Sequence, residues 1–372
     1  MAVLFLAGYL LAQASPDLRV NWTDFHTQNM MRWNPYEHTL GVNNVASLRV
    51  LHTYQTGGFG LWSPAIVNDV IYFGSLDENI YAVNVKTGAL LWSYQTGGPI
   101  YSSPAVANGV VYIGAFNGNL YALDATTGIV LWSYQTSNAV YSAPTVANGV
   151  VYFGSIDYNV YALNASTGAL LWRYATGGKV ICSPAVANGV VYVGSEDNNV
   201  YALNARSGTK LWSYKTTDII LYSSPAVANG VVYIASYDGG LVALNASTGA
   251  LLWSYNTGAY VTSSPAVANG VVYIGSESYW AVYALNATTG VLLWSYTTGK
   301  YILSSPAVAD GVVYVGSWDD NVYALDAATG AKLWNYTTDS EVEASPIVAN
   351  GVVYIGSVNG TGYAFGLPHA AE

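Results

Sequence analysis

The chain has a single cysteine, Cys182, which excludes an internal disulfide, a cysteine-built metal site and a Cys-x-x-Cys-His haem attachment. Charge is scarce as well. Asp, Glu, Lys and Arg together make up 9% of the residues, and the 11 basic ones are scattered singly. With a net charge of −10 and no basic stripe, the chain lacks the electrostatic footprint for nucleic acid or an anionic membrane surface. No stretch approaches the roughly 20 uninterrupted apolar residues of a membrane-spanning helix. His26, His38, His52 and His369 fall outside the full repeats set out below, and no Ser/His/Asp spacing marks a nucleophilic triad.

What the chain does have is strand-forming side chains: 33 Tyr, 12 Trp and many Val, types that suit a pleated, half-buried surface. At the N-terminus an apolar run leads into Ala12-Gln13-Ala14, which reads as an export signal cut before Ser15, although no Lys or Arg precedes the run. The division expected is a signal peptide at 1–14, an N-terminal arm at 15–47, one repeat domain at 48–367 and a tail at 368–372. The mature protein is then exported, to the periplasm, the medium or the cell surface.

One sentence is written eight times. Its proline falls at Pro64, Pro104, Pro144, Pro184, Pro225, Pro265, Pro306 and Pro346, at intervals of 40, 40, 40, 41, 40, 41 and 40. A period near 40 made of short β-runs is the mark of propeller blades, since helical repeats would show a 3.6-residue apolar period. Within the second copy the punctuation predicts strands at 100–107, 110–114, 120–123 and 130–134, with Asn108-Gly109 as the first hairpin turn. The phase decides the topology. LRVLHTYQTGG from Leu48 matches a fourth strand, whereas the last copy stops after its third at Tyr363-Ala364-Phe365. The two ends make one blade, so the fold class is all-β: an eight-bladed β-propeller of four-stranded blades, closed by the N-terminal strand.

Seven copies carry a longer signature, as in ALNASTGALLW ending at Trp172, with Ala first, Gly seventh and Trp eleventh. Trp92, Trp132, Trp172, Trp212, Trp253, Trp294 and Trp334 are expected to pack between blades, each large ring against a glycine that allows close approach. The closing blade has His52 in this column and lacks the Thr-Gly, so the seam should be the least regular part.

The Ala-x-Asp/Asn-x-x-Thr-Gly-x-x-x-Trp pattern resembles the tryptophan-docking repeat of quinoprotein dehydrogenases, and the whole blade is similar to the PQQ-like repeat propellers, over about residues 48–367. The stretch from Asn21 to Val50 resembles the arm that precedes such propellers. For the dehydrogenases the resemblance implies pyrroloquinoline quinone and calcium above the ring, but the paired cysteines and long insertions of those enzymes have no counterpart, and none of their catalytic residues maps here. In length and blade number the chain is more similar to the propeller lipoproteins of outer-membrane barrel assembly, though Ser15 stands where a lipoprotein has its cysteine. Fold follows from such a resemblance and function does not.

Differences among the copies point to a site. Variation concentrates in the loop entering each first strand and in the loop between the second and third strands, which share the mouth of the central channel. Three residues before each proline stand Leu61, Tyr101, Tyr141, Ile181, Tyr222, Thr262, Leu303 and Glu343; two earlier stand Phe59, Pro99, Ala139, Lys179, Ile220, Tyr260, Tyr301 and Glu341. With Trp318 and Asp319 from the other loops, the candidate ligand-binding residues are Tyr101, Tyr141, Tyr222, Tyr260, Tyr301, Trp318, Asp319, Glu341 and Glu343. Aromatic rings beside carboxylates suit a sugar ring or a peptide edge; the plainer reading is that these are strand entrances in a tyrosine-rich protein. Asp-x-Asn at Asp77, Asp157, Asp197 and Asp319 is read as turn chemistry rather than calcium ligation, since no copy supplies the rest of a calcium loop. Asp339, Glu341 and Glu343 form the densest acidic cluster, read as a solvated loop rather than an acid and base pair, and Cys182 sits in a serine column as a packed thiol.

No catalytic residue, metal ligand set or cofactor motif emerges. The expected function is a non-enzymatic scaffold that binds a protein or glycan through its channel face. The alternatives are a small PQQ- and calcium-dependent dehydrogenase, and a structural cell-surface propeller with no specific ligand.

Overall fold

A computed structural model of the chain describes residues 22–25, 31–57, 63–258 and 260–368. The expected signal peptide, His26, Phe59 and Leu61 lie outside them. Eight four-stranded antiparallel units form the ring, their first strands beginning at Ala65, Ala105, Thr145, Ala185, Ala226, Ala266, Ala307 and Ile347, which number blades 1 to 8. Blade 2 is typical, with strands Ala105–Ala107, Val110–Gly114, Asn119–Asp124 and Val130–Gln135. In blade 8 the fourth strand is Arg49–Gln55, antiparallel to Thr361–Gly366, so the N-terminal strand closes the ring.

The first strand is shorter than the sequence suggests, starting at Ala105 rather than Ile100. Pro104 has no N–H to give a ladder, and the segment before it is held by side chains instead. In blade 2 the Gly114 N–H donates to Ser102 Oγ, and the same bond recurs in other blades, with Cys182 Sγ replacing the hydroxyl for Gly194. Burial pushes the Cys182 thiol up to about 12, so it stays a neutral packing group. The first hairpin turn has φ of +51° at Asn108 and +75° at Gly109, the left-handed pair that this two-residue turn requires.

Blades are locked by one repeated contact. Trp132 Nε1 and Tyr112 Oη both donate to the carbonyl of Ala165 in the following blade, each at 3.0 Å. Over that indole lies Gly168 at φ +70°, where a Cβ would stand 2.7 Å from Trp132 Cε3. The same pair of donors serves Ala125, Ala205, Ala246, Ala287 and Ala327. At the seam Tyr54 does the work of the absent Trp, its hydroxyl reaching Val85 O at 3.4 Å while His52 stays half-buried. These geometries separate two glycines of equal conformation. Gly208→Ala puts a methyl 2.6 Å from Trp172 Cδ2 and should cost about 1–3 kcal/mol, whereas Gly189→Ala, at φ +76° with nothing within 4 Å, should cost only the ~1 kcal/mol of a left-handed alanine. Denaturant midpoints of the two variants check this.

The arm crosses the channel at the end away from the variable loops and pairs with the inner edges of several blades. Trp22 bridges Ile66, Val106 N–H donates to Thr23 O, Val267 N–H to Met31 O, and Trp33–Asn34 runs parallel to Val308–Ala309. Glu37 accepts the Gly351 N–H and Asn34 reaches Val348 O. Arg32 is fully buried at φ +50° and donates to the carbonyls of Phe25, Pro306 and Pro346. Among the described residues no helix is long and apolar enough to cross a membrane.

Candidate functional site

The inner wall of the channel is a ring of small hydroxyls. Ala143 N–H donates to Ser183 Oγ, Ser183 N–H to Ser224 Oγ, and the relay continues through Ser264, Ser305 and Ser345 to Ser63, blade to blade. Ala143 interrupts the column because it has no hydroxyl for blade 2; there Ser102 Oγ donates to Ser142 O instead. With these hydroxyls tied to backbone, the ring is rigid, and what faces the lumen above it decides the chemistry.

Above the ring lies a cavity of about 410 Å³ whose lining includes Phe25 of the arm. Its wall on one side is aromatic. Tyr101 and Tyr141 are stacked with centroids 4.5 Å apart, Phe116 lies 5.6 Å from Tyr101, and Tyr222 lies 5.8 Å from Tyr141. The Tyr141 hydroxyl is hydrogen-bonded to that of Tyr222, and burial followed by the neighbouring tyrosines pushes its ionisation well above the usual phenol range. Glu343 and Glu277 also line the cavity. Thr262 Oγ1 donates to Glu277 Oε1 at 2.7 Å. Burial, and then Glu277, raise the Glu343 carboxyl above its ordinary value.

Of the residues proposed from sequence, Tyr101, Tyr141, Tyr222 and Glu343 line this cavity. Tyr260 and Tyr301 stand outside it, about half exposed, on an outer arc: Tyr260 stacks on Tyr237 at 4.6 Å, and Tyr301 lies edge-on to Trp280 and to Trp318. Asp319 is spent on the fold, accepting from Gly299 N, Tyr323 Oη and Asn321, and Asp77, Asp157 and Asp197 make equivalent bonds to Tyr81, Tyr161 and Tyr201. The three acids of the eighth blade do not act together. Glu341 accepts from Ser340 Oγ, while Asp339 accepts from Ser357 and Thr361 beside Tyr363. Burial pulls the Asp339 carboxyl up, but hydrogen bonds from Tyr363, Asn359, Thr361 and Ser357 outweigh it and hold it down at about 2.

Sequence reasoning missed Glu277 and misplaced Ile220. Only the second error comes from a 41-residue interval; Glu277 stands 12 residues after Pro265, in register with Leu76 after Pro64 and Phe116 after Pro104. The extra residue of blade 5 lies between Ile220 and Ser223, so Ile220 is buried behind Gly194 and Leu221 and Tyr222 share the rim position. The extra residue of blade 6 falls in Ser276–Ala281, the loop of Glu277. The position just after the Ser or Ala that closes each second-strand run (Ser75, Ala115, Ser236, Ser276) would have found Glu277: Leu76, Phe116, Tyr237, Glu277, Trp318 and Val358 all stand there.

Pyrroloquinoline quinone, a tricarboxylic acid, does not fit this lining. Among the described residues the lining has two carboxylates and no Lys, Arg or His, so the cofactor's negative charges would meet like charge with no counter-ion there. Among the described residues no three His, Cys, Asp or Glu side chains gather to hold a metal.

A family model described as outer membrane protein assembly factor BamB matches residues 42–143, 138–221, 217–305 and 281–367. No curated protein matches the chain in sequence. Among solved structures, BamB from Moraxella catarrhalis is 22% identical with a TM-score of 0.75, covering 87% of this chain and 99% of its own. The quinohemoprotein alcohol dehydrogenase from Pseudomonas putida is 19% identical with a TM-score of 0.84, covering 95% and 81%. A europium-containing methanol dehydrogenase is 15% identical with a TM-score of 0.83, covering 94% and 98%. At these identities the structural likeness concerns the fold alone.

Proposed function

The chain belongs to the family of the outer membrane protein assembly factor BamB, and from that premise we propose that it is a non-enzymatic, exported scaffold that docks a protein partner on its channel mouth. The observation that supports this most directly is the outer arc of half-exposed rings, Tyr260, Tyr301 and Trp280, each about 40–50% accessible and continuous with Tyr237 and Trp318. Tyr and Trp are the residues that most often carry binding energy at protein interfaces, because they bury large area with few rotors to freeze. The same exposed rings suit a sugar face, and a glycan is the alternative ligand.

A photo-crosslinking residue placed at Tyr301 should give a discrete adduct in the cell envelope of the native host, while one at Leu252, on the outer perimeter, should give none. Equal labelling at both, or none at either, removes the reading. The dehydrogenase alternative has its own test. Titration with pyrroloquinoline quinone and calcium, followed by cofactor absorbance and Trp fluorescence, should show no saturable binding; calcium-dependent saturation would overturn the non-enzymatic assignment.

A further inference from the structure

We propose that the cavity above the serine ring binds an organic ammonium group, its charged head between Glu277 and Glu343 and its alkyl or methyl groups against Tyr101, Tyr141 and Tyr222. This deepens the reading of the channel mouth as a binding surface and rests on it.

Charge balance is the first argument. Among the described residues two carboxylates line the cavity and no basic side chain does, and the ion pairs, His38–Asp310, Lys86–Asp69 and Lys179–Glu196, include neither of them. Glu277 has the Thr262 hydroxyl, and Glu343 has no hydrogen bond among the described residues. Two half-buried like charges with no counter-charge among the described residues are an unfavourable arrangement that an incoming cation relieves. The same lining that rejects a polyanion therefore favours the opposite sign.

The aromatic wall is the second. The electron-rich faces of a tyrosine stack attract a cation most when water is excluded, and they do so best for a soft, weakly hydrated ammonium. A calcium ion needs about 6–8 oxygen ligands. Leu76, Leu221, Leu303 and Val358 on the lining are instead suited to the carbon skeleton of an organic cation. The volume, about 410 Å³, lies in the range of roughly 300–1,000 Å³ usual for small-molecule sites.

The third argument is where the ring departs from its period. Both extra residues, in blades 5 and 6, fall in loops that reach this cavity, one beside Tyr222 and the other just after Glu277. The first forces Tyr222 to φ +63°, in a turn closed by Ser223 N–H donating to Leu221 O at 2.8 Å. A left-handed non-glycine residue costs about 1–3 kcal/mol and persists where the surroundings over-determine it. In a ring of near-identical blades, that cost falls on the rim of one cavity.

An ammonium head has two sources, a free amine or a lysine of the docked partner. Calorimetric titration of the full chain with n-butylammonium, tetramethylammonium and a Gly-Lys-Gly peptide separates them, with sodium butyrate and calcium chloride as contrasts. Saturable one-to-one binding of the ammonium compounds and none of butyrate is expected. Peptide tighter than butylammonium identifies a partner lysine; the reverse order identifies a free amine. Glu343→Gln and Glu277→Gln should each weaken binding at least ~10-fold, the loss of a hydrogen bond to a charged group. Glu341→Gln, outside the cavity, should leave it unchanged, and unaltered far-UV circular dichroism separates lost binding from lost folding. Absence of saturation by every ammonium compound, equal binding by the Gln variants, or preferential Glu343-dependent binding of calcium overturns the proposal. Such a failure leaves the crosslinking at Tyr301 untouched, so the two readings fall separately.

Discussion

Arg32→Met should release the N-terminal arm from the channel without opening the ring. The Arg32 guanidinium is fully buried, donates at 2.6–3.0 Å to the carbonyls of Phe25, Pro306 and Pro346, and lies 4.5 Å from the centroid of the Phe25 ring. Burial lowers its ionisation to about 9, with Asp24 acting against the shift, so the side chain is charged at neutral pH. An apolar replacement of similar length leaves three carbonyls facing no donor and a buried Asp24 without its cation. Removing one partner of a buried charged group typically costs about 3–5 kcal/mol. Lysine should rescue only in part, because a single ammonium cannot span a fork of donors aimed at three carbonyls.

That cost falls on the contact between arm and ring. The closing strand Arg49–Gln55 starts after the short 3-10 turn Val45–Ser47, and its ladder with Thr361–Gly366 involves none of the arm residues. The arm is therefore expected to come away alone. Limited proteolysis of Arg32→Met should cut before Val45 at protease levels that leave the parent chain whole, with far-UV circular dichroism unchanged. Cooperative loss of the whole ring would show instead that the arm is part of the folding core, and resistance equal to the parent would show that the Arg32 contacts contribute little. Because Phe25 lines the cavity, arm release should also abolish ligand binding there.

The ring was legible because its information is local and repeated. Asn108-Gly109 states its own turn, Gly168 states its own close contact, and the phase of Leu48 against Phe365 states the closure. The arm was legible only as an arm. Its decisive contacts pair Arg32 with residues 274 and 314 positions away, and no second copy exists against which to compare it. The cavity fell between these cases. Tyr101, Tyr141 and Glu343 could be found by comparing columns of the strand-entry loop, whereas Leu221 was hidden because a single insertion shifted its column by one, and Glu277 stands in register in the other loop's column, where it was not singled out. Asp319 shows the converse, a variable-looking residue whose carboxylate is already committed to Tyr323 and Gly299.

Two tryptophans with the same sequence signature should respond very differently to removal. Trp253→Ala is expected to cost about 3–5 kcal/mol, the usual range for deleting a buried aromatic. Its ring is 9% exposed, Nε1 donates to Ala287 O at 2.9 Å, and a Cβ on Gly290 would stand 2.7 Å from it, so the hole cannot be filled by the neighbouring blade without moving backbone. Trp334→Ala should cost only about 1–2 kcal/mol. The blade it faces ends its third strand at Gly366 with no docking loop among the described residues, and this indole is half-buried and packs edge-on against Phe365 at 5.1 Å. The same missing loop strands Tyr314, whose buried hydroxyl has no partner among the described residues, while Tyr233, its counterpart in blade 5, donates to Ala287 O. Removing the two hydroxyls should therefore have opposite signs: Tyr233→Phe destabilises by about 1 kcal/mol, and Tyr314→Phe is neutral or stabilising because it deletes an unpaired polar group. Denaturant midpoints of the four variants under one set of conditions decide the matter. Equal costs for the two tryptophans would mean that area alone holds the blades together, and that the carbonyl and glycine of the docking loop add nothing to it.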